Sequence, residues 1–107
     1  APDLLLVSAG FDAHWRDPLA QMQLSLRGYA ALAQRLVTWS HLLCGGKLVM
    51  VLEGGYDMEV LANGVLNSVY ALEGMAIVSD PVGPAPTREA EIDGLLIKFQ
   101  QHYLLGW

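Results

Sequence analysis

Leu4-Leu5-Leu6-Val7 and Leu48-Val49-Met50-Val51-Leu52 are unbroken apolar runs, the pattern of short strands buried on both faces. Between them Tyr29, Leu32, Ala33, Leu36, Val37 and Leu43 recur at helical spacing from Ser25 to Leu43, with Ser25 placed to cap the start and Gly45-Gly46 to end it. After the second run, Asp57 is placed to cap a helix reaching about Glu73, with Val60, Leu61, Val65, Val69 and Leu72 inward and Gly74 as its stop. Residues 79–87 hold three of the five prolines and read as an irregular connector. Residues 88–105 read as a terminal amphipathic helix carrying Ile92, Leu95, Leu96, Phe99 and Tyr103 on one face.

The order strand, helix, strand, helix, with crossovers longer than about a dozen residues, predicts an α/β fold with a parallel sheet flanked by helices. Ligands of such sheets sit in the crevice beyond the carboxyl ends of the strands. Two polar clusters fall there: Asp12, His14, Arg16 and Asp17 after the first strand, and Glu53 to Asp57 after the second. If the strands are near neighbours, Asp12 and Tyr56 reach one crevice. Charge is costly inside a core and useful at its rim, where a carboxylate can hold a metal.

The chain has 107 residues, 53% of them hydrophobic, enough for one small domain with a core. Eleven acidic residues against six basic ones, a net charge of −5, leave no basic stripe for a phosphate backbone; a lysine-bearing or polycationic substrate suits the balance better than nucleic acid. Cys44 is the sole cysteine, which excludes an internal disulfide and a Cys-x-x-Cys zinc cage and agrees with a reducing compartment. There is no charged leader before an apolar segment and no apolar run near the roughly 18 residues that span a bilayer. A cytoplasmic protein without membrane contact is expected.

The segments Ser8-Ala9-Gly10-Phe11-Asp12-Ala13-His14, Asp17-Pro18-Leu19 and Leu52-Glu53-Gly54-Gly55-Tyr56-Asp57 together resemble the zinc-dependent histone deacetylase family. The family includes bacterial deacetylase-like and acetylpolyamine amidohydrolase members, and the Leu-Glu-Gly-Gly-Tyr form resembles its class II branch. The resemblance runs from Ala1 to about Gly74 and implies an arginase/deacetylase-like sheet. It implies that Asp12 is a ligand of a catalytic Zn2+, that Tyr56 is the catalytic tyrosine, and that Gly54 and Gly55 let the loop approach substrate. The activity implied is hydrolysis of an acetylated lysine, polyamine or related amine to acetate and free amine. In the family, the paired histidines of the general base and the other two zinc ligands lie upstream of these motifs, so residues 1–107 read as a single partial domain, the C-terminal portion of the full one. Alone it is expected to be inactive, to need the N-terminal part of its own domain, and to self-associate through exposed apolar surface.

Other polar residues have plainer readings. His14 reads as an exposed loop histidine at the rim, Asp17 as an orienter of the loop, and Arg16 as solvated or paired with Asp17. His41 and Cys44 lie three apart on one helix face, but two ligands make no site, and His41 suits the helix C-terminus. Ser8, Asp12 and His14 lack the Gly-x-Ser-x-Gly setting of a triad. Tyr29, Trp39 and Tyr70 read as packing residues. A non-catalytic interaction module that keeps the deacetylase fold is the alternative. A nucleotide-binding α/β unit lacks both Gly-x-Gly-x-x-Gly and the P-loop lysine.

Overall fold

The computed structural model describes residues 1–20, 22–87 and 92–103. In chain order they form strand β1 (Leu5–Ala9), helix α1 (Leu26–Cys44), strand β2 (Leu48–Leu52), helix α2 (Met58–Leu72) and helix α3 (Asp93–Tyr103). β1 and β2 pair directly and in parallel, with Leu5 opposite Leu48 and Ala9 opposite Leu52. The ladder continues past the strand ends: the Glu53 amide donates to the Ala9 carbonyl at 2.9 Å, and the Phe11 amide to the Gly54 carbonyl at 2.8 Å. The segments that leave the two strands therefore depart side by side.

Helix boundaries follow from capping chemistry. The Ser25 hydroxyl accepts from the Gly28 amide, and Gly45 takes the left-handed conformation (φ 64°) that closes α1. Asp57 caps α2 by accepting from the Val60 amide. Within the expected terminal helix the described residues form α3 over Asp93–Tyr103, none of them buried; residues 88–91 and 104–105 of that expectation lie outside the described residues.

The core differs from the expected one. Buried positions on α1 are Leu26, Ala30, Ala33, Ser40 and Cys44, and on α2 Val60, Gly64, Asn67 and Ala71. Both stripes run mostly at steps of three and four residues, and most members are small, which lets helix backbones come close. The larger apolar residues expected inward, Leu32, Leu43, Val65, Val69 and Leu72, are exposed instead. Leu32 and Leu36 of α1, and Val65, Val69 and Leu72 of α2, line grooves against Val7, Ala9 and Met50 of the sheet. Hydrophobic size marked the face turned to the sheet; small residues mark where the helices meet.

The strands are also not buried on both faces. Leu5, Val7, Ala9, Leu48 and Met50 are half-buried, whereas Leu6 on β1 and Val49 and Val51 on β2 are exposed. In the parallel register these exposed residues share the second face, which no described element covers. The radius of gyration, 15.3 Å, exceeds the roughly 13 Å of a compact chain of this size.

Residues 79–87 contain no helix or strand, but the segment is tied down. Asn67, buried on α2, exchanges two hydrogen bonds with the Ser79 backbone, and the Ser79 hydroxyl donates to Asn63. The Trp15 indole donates to the Gly83 carbonyl at 2.8 Å.

Phe11 fills the space between the helices, buried with Leu26 and Val60 and flanked by Tyr29 and Leu61. A methyl group at Gly64 would lie 2.4 Å from Phe11 Cδ1 and 2.7 Å from Cε1. Gly64→Ala is therefore expected to destabilise the chain by about 1–2 kcal/mol, overpacking outweighing the helix-propensity gain of about 1 kcal/mol. Urea unfolding checks this, and a stabilised variant would refute it. The open sheet face predicts self-association, and light scattering at micromolar concentration that shows only monomer would count against it.

Candidate functional site

The two strand ends deliver their polar residues to one place. Asp12 follows β1 and Tyr56 follows β2, and the two side chains meet above Gly54. A Cβ at Gly54 would lie 3.0 Å from Asp12 Oδ2 and 3.3 Å from the Tyr56 hydroxyl oxygen. Glycine at 54 leaves that space clear. Gly55 has a different reason to be glycine: its φ of 144° is in the region side chains avoid, and a Cβ there would meet Leu61 and Phe11 at 3.0 and 3.3 Å. Its identity is explained by local packing and backbone shape.

The three aspartates around this point are engaged differently. Asp17 is buried, 5% exposed; Oδ1 accepts from the Leu19 and Ala20 amides, and Oδ2 accepts from the Tyr56 amide at 3.0 Å. Burial works against its charge, yet the donated amide hydrogen bonds prevail and hold its carboxyl below the usual range. Asp57 accepts a forked pair from Arg16, Nε at 2.7 Å and a terminal nitrogen at 2.9 Å. The Arg16 guanidinium holds the Asp57 carboxyl down at about 2. Asp12, by contrast, accepts no hydrogen bond from the described residues and is the carboxylate left available for a ligand.

Two expectations need correction. Arg16 pairs with Asp57, and more loosely with Glu59 at 3.4 Å, not with Asp17, because backbone amides already occupy both Asp17 oxygens. His14 is not an exposed rim residue: it is 0% exposed, lies against the Trp15 ring, and its Nδ1 accepts from the Arg16 amide at 3.0 Å. Residues 13–15 fold back onto Leu24 through two backbone hydrogen bonds, which encloses the ring. Burial pushes the imidazole below its ordinary value, against the raising influence of Asp80. Its Nε2 has no partner among the described residues.

Sequence reading also missed what Tyr29 does. Its hydroxyl accepts from the Ala13 amide at 2.9 Å and its ring tilts against Phe11 at 5.0 Å, so a helix residue holds the backbone next to Asp12. Burial pushes its phenol up. No spacing rule links positions 13 and 29. His41 and Cys44 stay apart in role: the imidazole lies over Gly46, and the buried thiol donates to the Lys47 carbonyl.

Among the described residues no group of three His, Cys, Asp or Glu could hold a metal ion. Asp12 is one ligating side chain, short of the three protein ligands of an open catalytic zinc site. These residues do not make up such a site by themselves.

The ion pair has a pH signature. Because the Asp57 carboxyl titrates lower in the folded chain (about 2) than its ordinary 3.8, its contribution to stability is present above pH 4 and is lost as pH falls through about 2. Asp57→Asn keeps a competent helix cap and removes the charge. Its urea midpoint is expected to fall below wild type at pH 7 and to converge with it by pH 2; a difference that persists undiminished at pH 2 would refute the assignment.

Comparison with known proteins shows the family. A model of the histone deacetylase domain matches residues 1–72. The chain is similar to "Histone deacetylase 14, chloroplastic" of Arabidopsis thaliana, 47% identical over 73 residues that cover 68% of this chain and 17% of that protein. It is 45% identical to human "Polyamine deacetylase HDAC10" over 83 residues, 78% of this chain and 11% of that protein. The solved structure of the histone deacetylase Clr3 superposes on 89% of this chain and 14% of its own, with a TM-score of 0.64 and 32% identity. The chain thus spans less than a fifth of the length of these relatives.

Proposed function

The chain belongs to the histone deacetylase family, and on that premise we propose that it contributes part of a zinc-dependent deacetylase site, with Tyr56 as a catalytic residue and Asp12 as one metal ligand. The reaction is hydrolysis of an acetylated lysine, polyamine or related amine. The observation that carries the proposal is the meeting of the Asp12 carboxylate and the Tyr56 hydroxyl over Gly54.

Hydrolysis adds water to the amide carbon, and the former carbonyl oxygen gains negative charge before the carbon–nitrogen bond breaks. An O–H donor fixed near that oxygen stabilises the charge as it forms. The Tyr56 side chain is half exposed, open to an incoming amide, and its hydroxyl shares the space over Gly54 with the Asp12 carboxylate. Gly54 and Gly55 line the approach, Gly54 by leaving the space between those groups free. Collapse of the adduct moves a proton to the departing nitrogen and yields acetate and amine. Asp12 is one ligating side chain and the described residues hold no group of three that could bind a metal, so in the complete domain the other zinc ligands and the general base would be supplied elsewhere. The acidic balance of the chain, net −5, favours a cationic amine product or peptide.

Tyr56→Phe in the complete parent protein tests the proposal. It keeps the ring and removes the donor, so kcat on an acetyl-lysine peptide or an acetylated polyamine is expected to fall about 100- to 1000-fold. The isolated 107-residue chain is expected to show no turnover. Wild-type turnover by Tyr56→Phe would overturn the catalytic role and favour an interaction module.

A further inference from the structure

Tyr56 follows two glycines, one of them at φ 144°, so the turn entering it is the most permissive backbone near the site. Its hydroxyl has no hydrogen-bond partner among the described residues, and the side chain is 53% exposed. Packing and side-chain bonding therefore do little to aim the phenol. The Tyr56 amide and the side chain of the residue after it, however, are gripped by consecutive residues of the other loop. Asp17 Oδ2 accepts from the Tyr56 amide at 3.0 Å, across 39 positions of sequence. Arg16 holds the carboxylate of the next residue, Asp57, through its forked pair at 2.7 and 2.9 Å.

We propose that Arg16 and Asp17 form a clasp whose role is to position the Tyr56 hydroxyl over Asp12, a proposal that rests on reading Tyr56 as the oxyanion donor. The clasp spans the two loops that carry the two site residues: Asp17 lies on the loop of Asp12, and its grip reaches Tyr56. Loss of the Asp17 contact frees the peptide plane before Tyr56, and loss of the Arg16 fork unties the residue after it from the first loop; the phenol oxygen, at the far end of the side chain, moves most. Asp17 is fully engaged in this grip, buried and with both oxygens on backbone amides. Arg16 is itself held, its amide donating to buried His14 Nδ1 at 3.0 Å. Arg16 and Asp17 are positioning residues and touch no reacting atom.

The test is a double-mutant cycle in the complete parent protein. Asp17→Asn keeps the shape but puts an NH2 group against amide donors whichever way it turns. Its kcat is expected to fall about 10- to 100-fold, the cost of a misplacement of about 1 Å, with KM within about twofold. In a Tyr56→Phe background, where no hydroxyl is left to position, Asp17→Asn is expected to change kcat less than about twofold. Wild-type kcat for Asp17→Asn, or the same fold loss in both backgrounds, would overturn the clasp. If Asp17→Asn does not fold, Arg16→Lys, which keeps the charge and loses the fork, is run through the same cycle with the same criterion. Wild-type turnover by Tyr56→Phe alone is a distinct result, which removes the oxyanion reading and the clasp with it.

Discussion

The geometry of the candidate site depends on one constraint: two loops leaving neighbouring parallel strands are joined to each other at three successive points. The first join is the continued ladder, Phe11 to Gly54. The second is the Asp17 carboxylate on the Tyr56 amide, and the third is the Arg16 fork on Asp57. Each lies further along the second loop than the last. Parallel pairing without offset, Leu5 opposite Leu48 through Ala9 opposite Leu52, makes the two exits level, and a slip of one residue would turn Asp12 and Tyr56 to opposite faces.

Behind the joined loops stands a small core that fixes their height above the helices. Phe11, one residue before Asp12, is driven into the gap that Gly64 opens on α2, and Tyr29 of α1 reaches up to the Ala13 amide, one residue after it. Asp12 is thus bracketed on both sides by groups belonging to different elements. Asp57 links the same core to the second loop, because one carboxylate both caps α2 through the Val60 amide and receives Arg16.

How much of this could be read from the chain follows from which interactions are local. The strands, α1 with its Ser25 and Gly45 caps, and α2 with its Asp57 cap depend on neighbouring residues and on periodicity, and they were legible. So was the placement of residues 12 and 56 at adjoining strand ends, which follows from topology. The partner of Arg16 was not, because Asp17 is adjacent in sequence while Asp57 is adjacent only after folding. His14 was misplaced for the same reason: the polarity of its neighbours suggested a rim, but the return of Leu24 beneath residues 13–15 buries the ring. The helix faces were read only in part: Ala33 and Val60 are buried as the periodicity implied, whereas Ala30, Gly64 and Ala71, buried through their smallness, were passed over because burial was sought at large side chains.

The exposed face of the sheet gives the polar joins a weight they would not carry in a closed core. Leu6, Val49 and Val51 stand on a surface no described element covers, so the apolar burial that usually holds strand ends in register is only half present here. Apolar burial scales with area, about 25 cal/mol per Å2, and it is indifferent to direction; it can hold a sheet together without aiming a phenol. Hydrogen bonds to buried acceptors are directional and costly to leave unmade. Asp17 gathers three such donors from two loops, so displacing Tyr56 would leave both its amide and one oxygen of a buried carboxylate without a partner. Covering the open face would add stability to the strands and leave the direction of Tyr56 to the same carboxylate. The site's precision and the domain's stability therefore have separate physical sources.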